Sequence, residues 1–298
     1  MISRFFKKMP MAAKGERARE APLISVVLGS YNRGRLLQKA IATVRENVAF
    51  ARHEIIVIDG GSTDGTLQWL LEQKDIITII QHNRGELNGK PVEKRSWGYF
   101  MNLGFKAAQG KYIMMISDDC LLLPDSIRHG IEVFENALSQ RRRIGGVAFY
   151  FRNWPSEQEY YVQMTLGGKL MVNHGLFLRK AMEEVGWVDE DTYAFYKADG
   201  DLCLKIWDAG YEIISAPRAI VEHYLDADEV PRLENNATLE KDRQAYAARW
   251  ARLTVLANGN AGPAKLTIAF VDPSGTAERL FRQLKDKEKD EGCLASTL

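Results

Sequence analysis

LISVVLGSYNR at residues 23–33 and EIIVIDGGSTDGT at residues 54–66 decide the fold. Each is a short β-branched, apolar run that stops at small and polar residues, the signature of a buried strand followed by a turn. The first stops at Gly29-Ser30 and the second at Asp59-Gly60-Gly61-Ser62. Between them, Arg35 to Phe50 places its apolar residues at helical spacing. Working outward, a helix starts near Thr63-Asp64-Gly65, a third strand covers Ile76 to Ile80, and Trp97 to Ala108 is helical up to Gly110. A fourth strand, Tyr112 to Ile116, is closed by Ser117-Asp118-Asp119, and Pro124 opens another helix. Strands that alternate with helices and are apolar without a break imply an α/β fold with a parallel sheet covered on both faces. Ligands of such sheets bind beyond the carboxyl ends of the strands. The polar residues at those ends are Ser30, Tyr31, Asn32, Asp59, Asp118 and Asp119.

Beyond residue 140 the pattern is less regular. Gly145 to Phe151 reads as a strand, Phe177 to Val185 and Asp201 to Ala209 as helices, Ala219 to Glu222 as a short strand, and Leu233 to Leu253 as a long polar helix. The expected organisation is a basic tail over 1–21, a main domain over 22–256 with halves near 22–124 and 125–256, and an appendage over 257–298 containing a charged helix. Acidic and basic residues nearly cancel, 39 against 40, which gives no global field for nucleic acid. The tail mixes Arg4, Lys7, Lys8, Lys14, Arg17 and Arg19 with Ile2, Phe5, Phe6 and Met9. That mixture reads either as a peripheral contact with an anionic membrane face or as a solvated basic tail. No apolar run approaches the roughly 18 residues of a spanning helix, and the start lacks the pattern of a signal peptide. Cys120, Cys203 and Cys293 are too dispersed for a zinc motif or a disulfide framework, so the expected setting is a reducing cytoplasm.

Three acidic positions carry the chemistry. Asp118 and Asp119 follow a strongly apolar strand, where adjacent carboxylates repel and lose hydration unless a cation neutralises them. Oxygen ligands of this kind suit Mg2+ or Mn2+ bridging to a diphosphate, although acids before a helix also serve as caps. Asp59 is positioned to accept from a base N–H or a ribose hydroxyl; Ser62, Thr63 and Asp64 are enough to cap the helix that follows. In Ala198-Asp199-Gly200-Asp201, Asp201 suits a helix N-cap, leaving Asp199 one step outside, free to take a proton from an attacking hydroxyl.

Taken in order, LISVVLGSYNR, EIIVIDGGSTDGT, NLGFKAAQGKYIMMISDDCLLLP, NHGLFLRKAMEEVGWVDE and ADGDLCLKIWDAGYEIISAPRAIVEH resemble glycosyltransferase family 2, from about Pro22 to His223. The resemblance implies a GT-A fold, in which a nucleotide-binding half is fused to an acceptor-binding half around one mostly parallel sheet. It implies transfer of a sugar from a UDP-, GDP- or dTDP-sugar to a saccharide or lipid-linked saccharide acceptor, with inversion and with Mn2+ or Mg2+. Ser30, Tyr31, Asn32, Asp59 and Asp118 fall at nucleotide-sugar positions, Asp119 and His223 at metal positions, and Asp199 at the catalytic base. Asn173, His174 and Gly175 fall where donor sugar and acceptor meet; Trp187 and Tyr196 are candidates for the acceptor pocket. Surface polysaccharide or glycan assembly is the family-level expectation.

The chain departs from the pattern in three places. Ser117 stands at the first acid of the DxD motif, which leaves Asp118 to contact ribose or metal-bound water. Ala198 stands where the base motif usually has Glu. His82 to Trp97 is long and polar, and reads as a lid whose cations, Arg95 among them, meet the diphosphate or as a solvated loop. Three rivals have less support. A sugar-phosphate nucleotidyltransferase would need a glycine-rich basic loop after the first strand, and a dehydrogenase would need G-x-G-x-x-G there. A nucleotide-binding but non-catalytic relative is disfavoured by the presence of Asp199.

Overall fold

Alternate residues of the first strand face different cores, and this sets the architecture. The computed structural model describes residues 23–224, 235–256 and 265–269, with single positions at 275, 279 and 282. In β1 (Ile24–Ser30), Val26 and Leu28 join one apolar cluster while Val27 joins the other. The same alternation separates Met114 from Ile113 and Met115 in β6 (Tyr112–Met115), as side chains two residues apart share a face of a strand. On one face α1 (Gly34–Val48) and α4 (Ser126–Ser139) cover the sheet with Leu37, Ile41, Val44, Ile127 and Phe134. On the other lie α3 (Trp97–Ala107), α5 (Arg179–Glu184) and α6 (Ala198–Asp208), with Met101, Phe105, Met182, Leu202 and Ile206.

The parallel core runs β3–β2–β1–β6, with β2 at His53–Asp59 and β3 at Ile76–Ile80; α2 (Thr66–Glu72) connects β2 to β3. Antiparallel strands extend it. β10 (Gly175–Leu178) lies between β6 and β8 (Ile144–Trp154), and β9 (Tyr160–Gln163) pairs with β8. β11 (Glu212–Tyr224) runs parallel to β8 and antiparallel to β7 (Cys120–Leu122). α7 (Leu239–Arg249), α8 (Ala251–Leu256) and β12 (Lys265–Ile268) follow. Among the described residues no helix is long and apolar enough to cross a membrane.

Several elements differ from the expectation. Phe177 and Leu178, expected to open a helix, instead end the strand Gly175–Leu178, since a short buried apolar run carries no period that separates the two. The helix expected at Pro124 begins at Ser126, after Asp125 with φ 62°. The short strand at Ala219–Glu222 is the end of β11, which shifts register between Ala216 and Ile220. The polar segment near 239–256 breaks into α7 and α8. The polar stretch after His82 contains a small hairpin, β4 (Glu86–Leu87) with β5 (Lys90–Pro91), turned by Asn88 and Gly89, both at positive φ. Asn-Gly is a strong hairpin signal and was available in the sequence. β12 falls inside the expected appendage, yet pairs antiparallel with β9 and extends the main sheet. The basic tail lies outside the described residues, and so does the charged C-terminal helix apart from Arg279 and Arg282.

One buried acid fastens the segment before α6. Asp242 of α7 is fully buried; its Oδ1 accepts from the Ala194 N–H at 2.9 Å, and its Oδ2 from the Phe195 and Tyr196 N–H groups at 2.9 and 2.8 Å. Replacing it strands donors that water reaches poorly. Asp242→Ala should therefore lower unfolding stability by about 2–3 kcal/mol, read as a shift of the urea midpoint at constant m-value. An unchanged midpoint would show that the segment is held by other contacts.

Candidate active site

The carboxyl ends of β1 and β6 open on a cleft of about 690 Å³, a size that suits a small-molecule ligand. Its lining includes Ser30, Tyr31, Arg33, Asp118, Asp119, Asn173, His174, Asp199 and His223. Arg95 and Tyr196 also line it. Asn32, Asp59, Gly175 and Trp187 are not part of the lining.

Asp118 and Asp119 are almost fully buried, and Arg33 bridges them. Its Nη1 donates to Asp118 Oδ1 and to Asp119 Oδ2, both at 3.0 Å. The second oxygen of Asp119, Oδ1, lies 3.5 Å from His223 Nε2 and 3.8 Å from Cys120 Sγ. Burial pushes the Asp118 carboxyl up to about 6 against the pull of Arg33, and the neighbouring Asp119 charge adds to the rise. Burial acts the same way on Asp119, but His223 and then Arg33 outweigh it and hold that carboxyl below its ordinary range. Burial and the nearby His223 push His174 down to about 3, so its ring is neutral near pH 7.

Second contacts aim these groups. His223 Nδ1 lies 2.7 Å from Asn153 Oδ1, and Asn153 Nδ2 donates to Tyr161 OH at 2.9 Å. With Nδ1–H donated to Asn153, the Nε2 that faces Asp119 can be given to a cation once the cation displaces its proton. Asp119 Oδ1, Cys120 Sγ and His223 lie close enough together to hold one metal ion. This donor set fits a divalent cation, with sulfur and nitrogen beside the carboxylate rather than oxygen alone.

Asp199 approaches the cleft from the other half. It sits in the first turn of α6, which begins at Ala198 and not, as expected, after an Asp201 cap. Lys197, in the left-handed region at φ 72°, precedes it. Asp199 Oδ1 accepts from the Gly200 N–H at 2.8 Å, and Oδ2 accepts from Asn173 Nδ2 at 3.3 Å. Burial raises its carboxyl above the ordinary value, although part of its surface stays open to the cleft. Asp201 is fully buried and structural, accepting from Trp250 Nε1 at 2.8 Å and Tyr193 OH at 3.1 Å.

The remaining candidates separate by position. Asp59 does serve a turn: its Oδ1 accepts from the Gly61 and Ser62 N–H groups at 2.9 and 2.8 Å. Gly61 has φ 93°, and a Cβ there would lie 2.4 Å from His82 Nδ1. The other oxygen of Asp59, Oδ2, is buried with no hydrogen-bond partner. Asn32 ties loops together, accepting from the Thr63 N–H at 2.7 Å while its own N–H donates to Ser62 Oγ at 2.8 Å. Gly175 sits in β10, where a Cβ would lie 2.2 Å from the Val147 carbonyl oxygen. Trp187 packs against the core outside the cleft, and its carbonyl accepts from Lys205. Arg95 lies over the Tyr99 ring at 4.8 Å, and its backbone is fixed to the Asn83 side chain. The site residues that sequence reasoning missed are Arg33, Cys120, Asn153 and Tyr161. Arg33 lay inside the quoted first motif, but its partners stand 85 and 86 positions away.

Comparison with known proteins agrees with this architecture. An uncharacterised protein of Sinorhizobium fredii is 21% identical over 268 residues, 77% of this chain and 28% of the relative. An uncharacterised glycosyltransferase of Nostoc sp. is 30% identical over 116 residues, 38% of this chain and 33% of the relative. The chain thus spans a third or less of the length of these two curated relatives. Among solved structures, a mannosyltransferase of Pyrobaculum calidifontis in complex with GDP-Man and Mn2+ superposes with TM-score 0.51 at 18% identity, over 82% of this chain and 66% of that one. Residues 1–349 of S. aureus TarS with UDP-GlcNAc superpose with TM-score 0.52 at 12% identity, over 74% and 66%. These likenesses show a GT-A fold. Residues 25–184, more than half of the chain, match the family described as Glycosyl transferase family 2, and the protein belongs to that family of glycosyltransferases.

Proposed function

We propose that the chain transfers a sugar from a nucleoside-diphosphate sugar to an acceptor hydroxyl with inversion at the anomeric carbon. One observation carries the reading: the bridged pair Asp118–Asp119, between β6 and β7, and the separate carboxylate Asp199, in the first turn of α6, line the same cleft. Nucleotide complexes of two structural neighbours, with GDP-Man and with UDP-GlcNAc, support the donor class. A β-linked polymer synthase of Staphylococcus aureus, 26% identical over 117 residues, supports a role in polysaccharide or glycan assembly.

In this reading Ser30, Tyr31 and the buried Asp59 define the nucleotide side. Arg33 and Arg95 supply positive charge near the diphosphate. Asp119 and His223 hold a divalent cation such as Mn2+ or Mg2+, which when bound neutralises charge on the departing nucleoside diphosphate. Asp199 takes the proton from the acceptor hydroxyl as its oxygen bonds to the anomeric carbon. The bond from that carbon to the diphosphate oxygen breaks on the opposite face. Asn173 holds Asp199 in position, and Tyr196 offers an aromatic wall to the acceptor. The expected location is cytoplasmic, with the basic N-terminus suited to a peripheral membrane contact.

Asp199→Asn removes the proton acceptor while keeping shape. Transfer should fall by roughly 10²–10⁴-fold while donor affinity, measured by calorimetry, stays within about twofold of the parent. Near-normal turnover would remove Asp199 from the chemistry. Because burial raises this carboxyl, the acid limb of kcat/KM should fall at a pH above that of an ordinary carboxylate.

Asp118 gives a stability prediction of definite sign. Its folded value, about 6, exceeds the ordinary 3.8, so the folded chain binds the extra proton and ionisation opposes folding. Its contribution to stability therefore falls as pH rises from about 4 to about 6. Asp118→Asn should stabilise the protein at pH 7 by about 1–3 kcal/mol, and the gain should vanish below about pH 4. Urea unfolding of both chains at the two pH values checks this; equal midpoints at pH 7 contradict it.

A further inference from the structure

The two oxygens of Asp119 face different chemistry. Oδ2 accepts from Arg33, which also holds Asp118. Oδ1 points away from it, into a group with a sulfur and two imidazoles. Cys120 Sγ lies 3.8 Å from this oxygen, and His223 Nε2 lies 3.5 Å from it. Behind them His174 approaches Cys120 Sγ, at 3.8 Å from Nε2 and 3.9 Å from Nδ1. The two imidazole centroids are 5.9 Å apart. β7 and β11 impose this grouping, since Cys120 and His223 are direct cross-strand partners.

These separations can be compared with a coordination shell. Zinc bonds of about 2.3 Å to sulfur and about 2.0–2.1 Å to nitrogen and oxygen give tetrahedral edges of about 3.3–3.5 Å. The observed 3.5 and 3.8 Å edges are within a few tenths of an ångström of that. Hard cations such as Mg2+ prefer a shell of oxygens, whereas thiolate and imidazole favour zinc and its neighbours. Asp119, His174 and His223 line the cleft while Cys120 does not, so an ion would reach the sulfur past those three residues.

We propose that Asp119, Cys120 and His223 form a sulfur-containing site for a thiophilic divalent cation of the zinc class. The inference deepens the proposed function at the same site. It shares Asp119 and His223 with the cation assigned to transfer, so a zinc-class ion and Mn2+ exclude one another. Binding forms one metal–sulfur bond and releases the thiol proton to solvent.

The test uses the full chain, stripped with a chelator and without donor. Titration with Co2+ should produce a thiolate-to-cobalt charge-transfer band. Zn2+ should abolish that band, and equimolar Mn2+ should leave it. Cys120→Ser should lose the band and bind Zn2+ at least roughly tenfold more weakly. X-ray absorption at the zinc edge of the unsubstituted protein needs no variant, and should show one sulfur among the nearest atoms. A shell of nitrogen and oxygen only, or a band that persists in Cys120→Ser, overturns the proposal. Mn2+-supported transfer without a sulfur-bound zinc would refute this inference alone. A sulfur-bound zinc with no transfer from any nucleoside-diphosphate sugar would refute the proposed function alone.

Discussion

Two adjacent buried carboxylates cannot both stay ionised without a cation beside them, and the arrangement around Asp118 and Asp119 answers that constraint. At an effective dielectric near 20, like charges about 4 Å apart repel by roughly 4 kcal/mol, before any loss of hydration. Arg33 meets the repulsion with one nitrogen, Nη1, shared between the two acids. The opposite shifts of the two carboxyls follow, since His223 assists only Asp119. One acid is thereby kept as a dependable anion, while its neighbour sits close to neutral pH. In the proposed function a diphosphate and its cation would enter a place whose charges are already arranged, and arranged charge needs little reorganisation during reaction.

Strand register carries that constraint into the fold. On β11, Glu222 and His223 are consecutive, so they point to opposite faces. Glu222 is fully buried, bound by Arg152 at 2.8 and 2.9 Å and by the Tyr160 hydroxyl. His223 faces Asp119. A slip of one residue would exchange them, bringing an unpaired acid beside two others and leaving the imidazole in the place of a salt-bridged carboxylate. The buried ion pair therefore discriminates against the wrong register, and the position of the imidazole follows from it.

The parts legible in the sequence are those written as local pattern. Apolar runs ending in Ser30, Asp59 and Asp118 located β1, β2 and β6, because burial on both faces leaves unbroken β-branched stretches. The ordered motifs gave the family. What escaped was pairing across long separations. Arg33 with the acid pair, Asn153 with His223 and Asp242 with residues 194–196 are each joined by tertiary packing rather than by spacing. Local ambiguity accounts for the rest. Gly175–Leu178 is buried whether helix or strand, and two acids at a helix start do not reveal which one caps.

That last ambiguity has a physical resolution in α6. Asp199 and Asp201 are two residues apart, so on a helix they project about 200° from one another. Only one of them can face the cleft. Asp201 is held by Trp250 and Tyr193, with Arg249 3.2 Å away, which fixes the rotation of the helix about its own axis. Asp242 fixes the segment leading into it. With rotation and entry both set from α7 and the residue after it, Asp199 has one direction left, toward Asn173 and the cleft. Placing Asp199, the proton acceptor of the proposed function, therefore depends on a second carboxylate that lies outside the cleft. Its burial with aromatic N–H and O–H donors, rather than spacing alone, distinguishes the positioning acid from the one that lines the cleft.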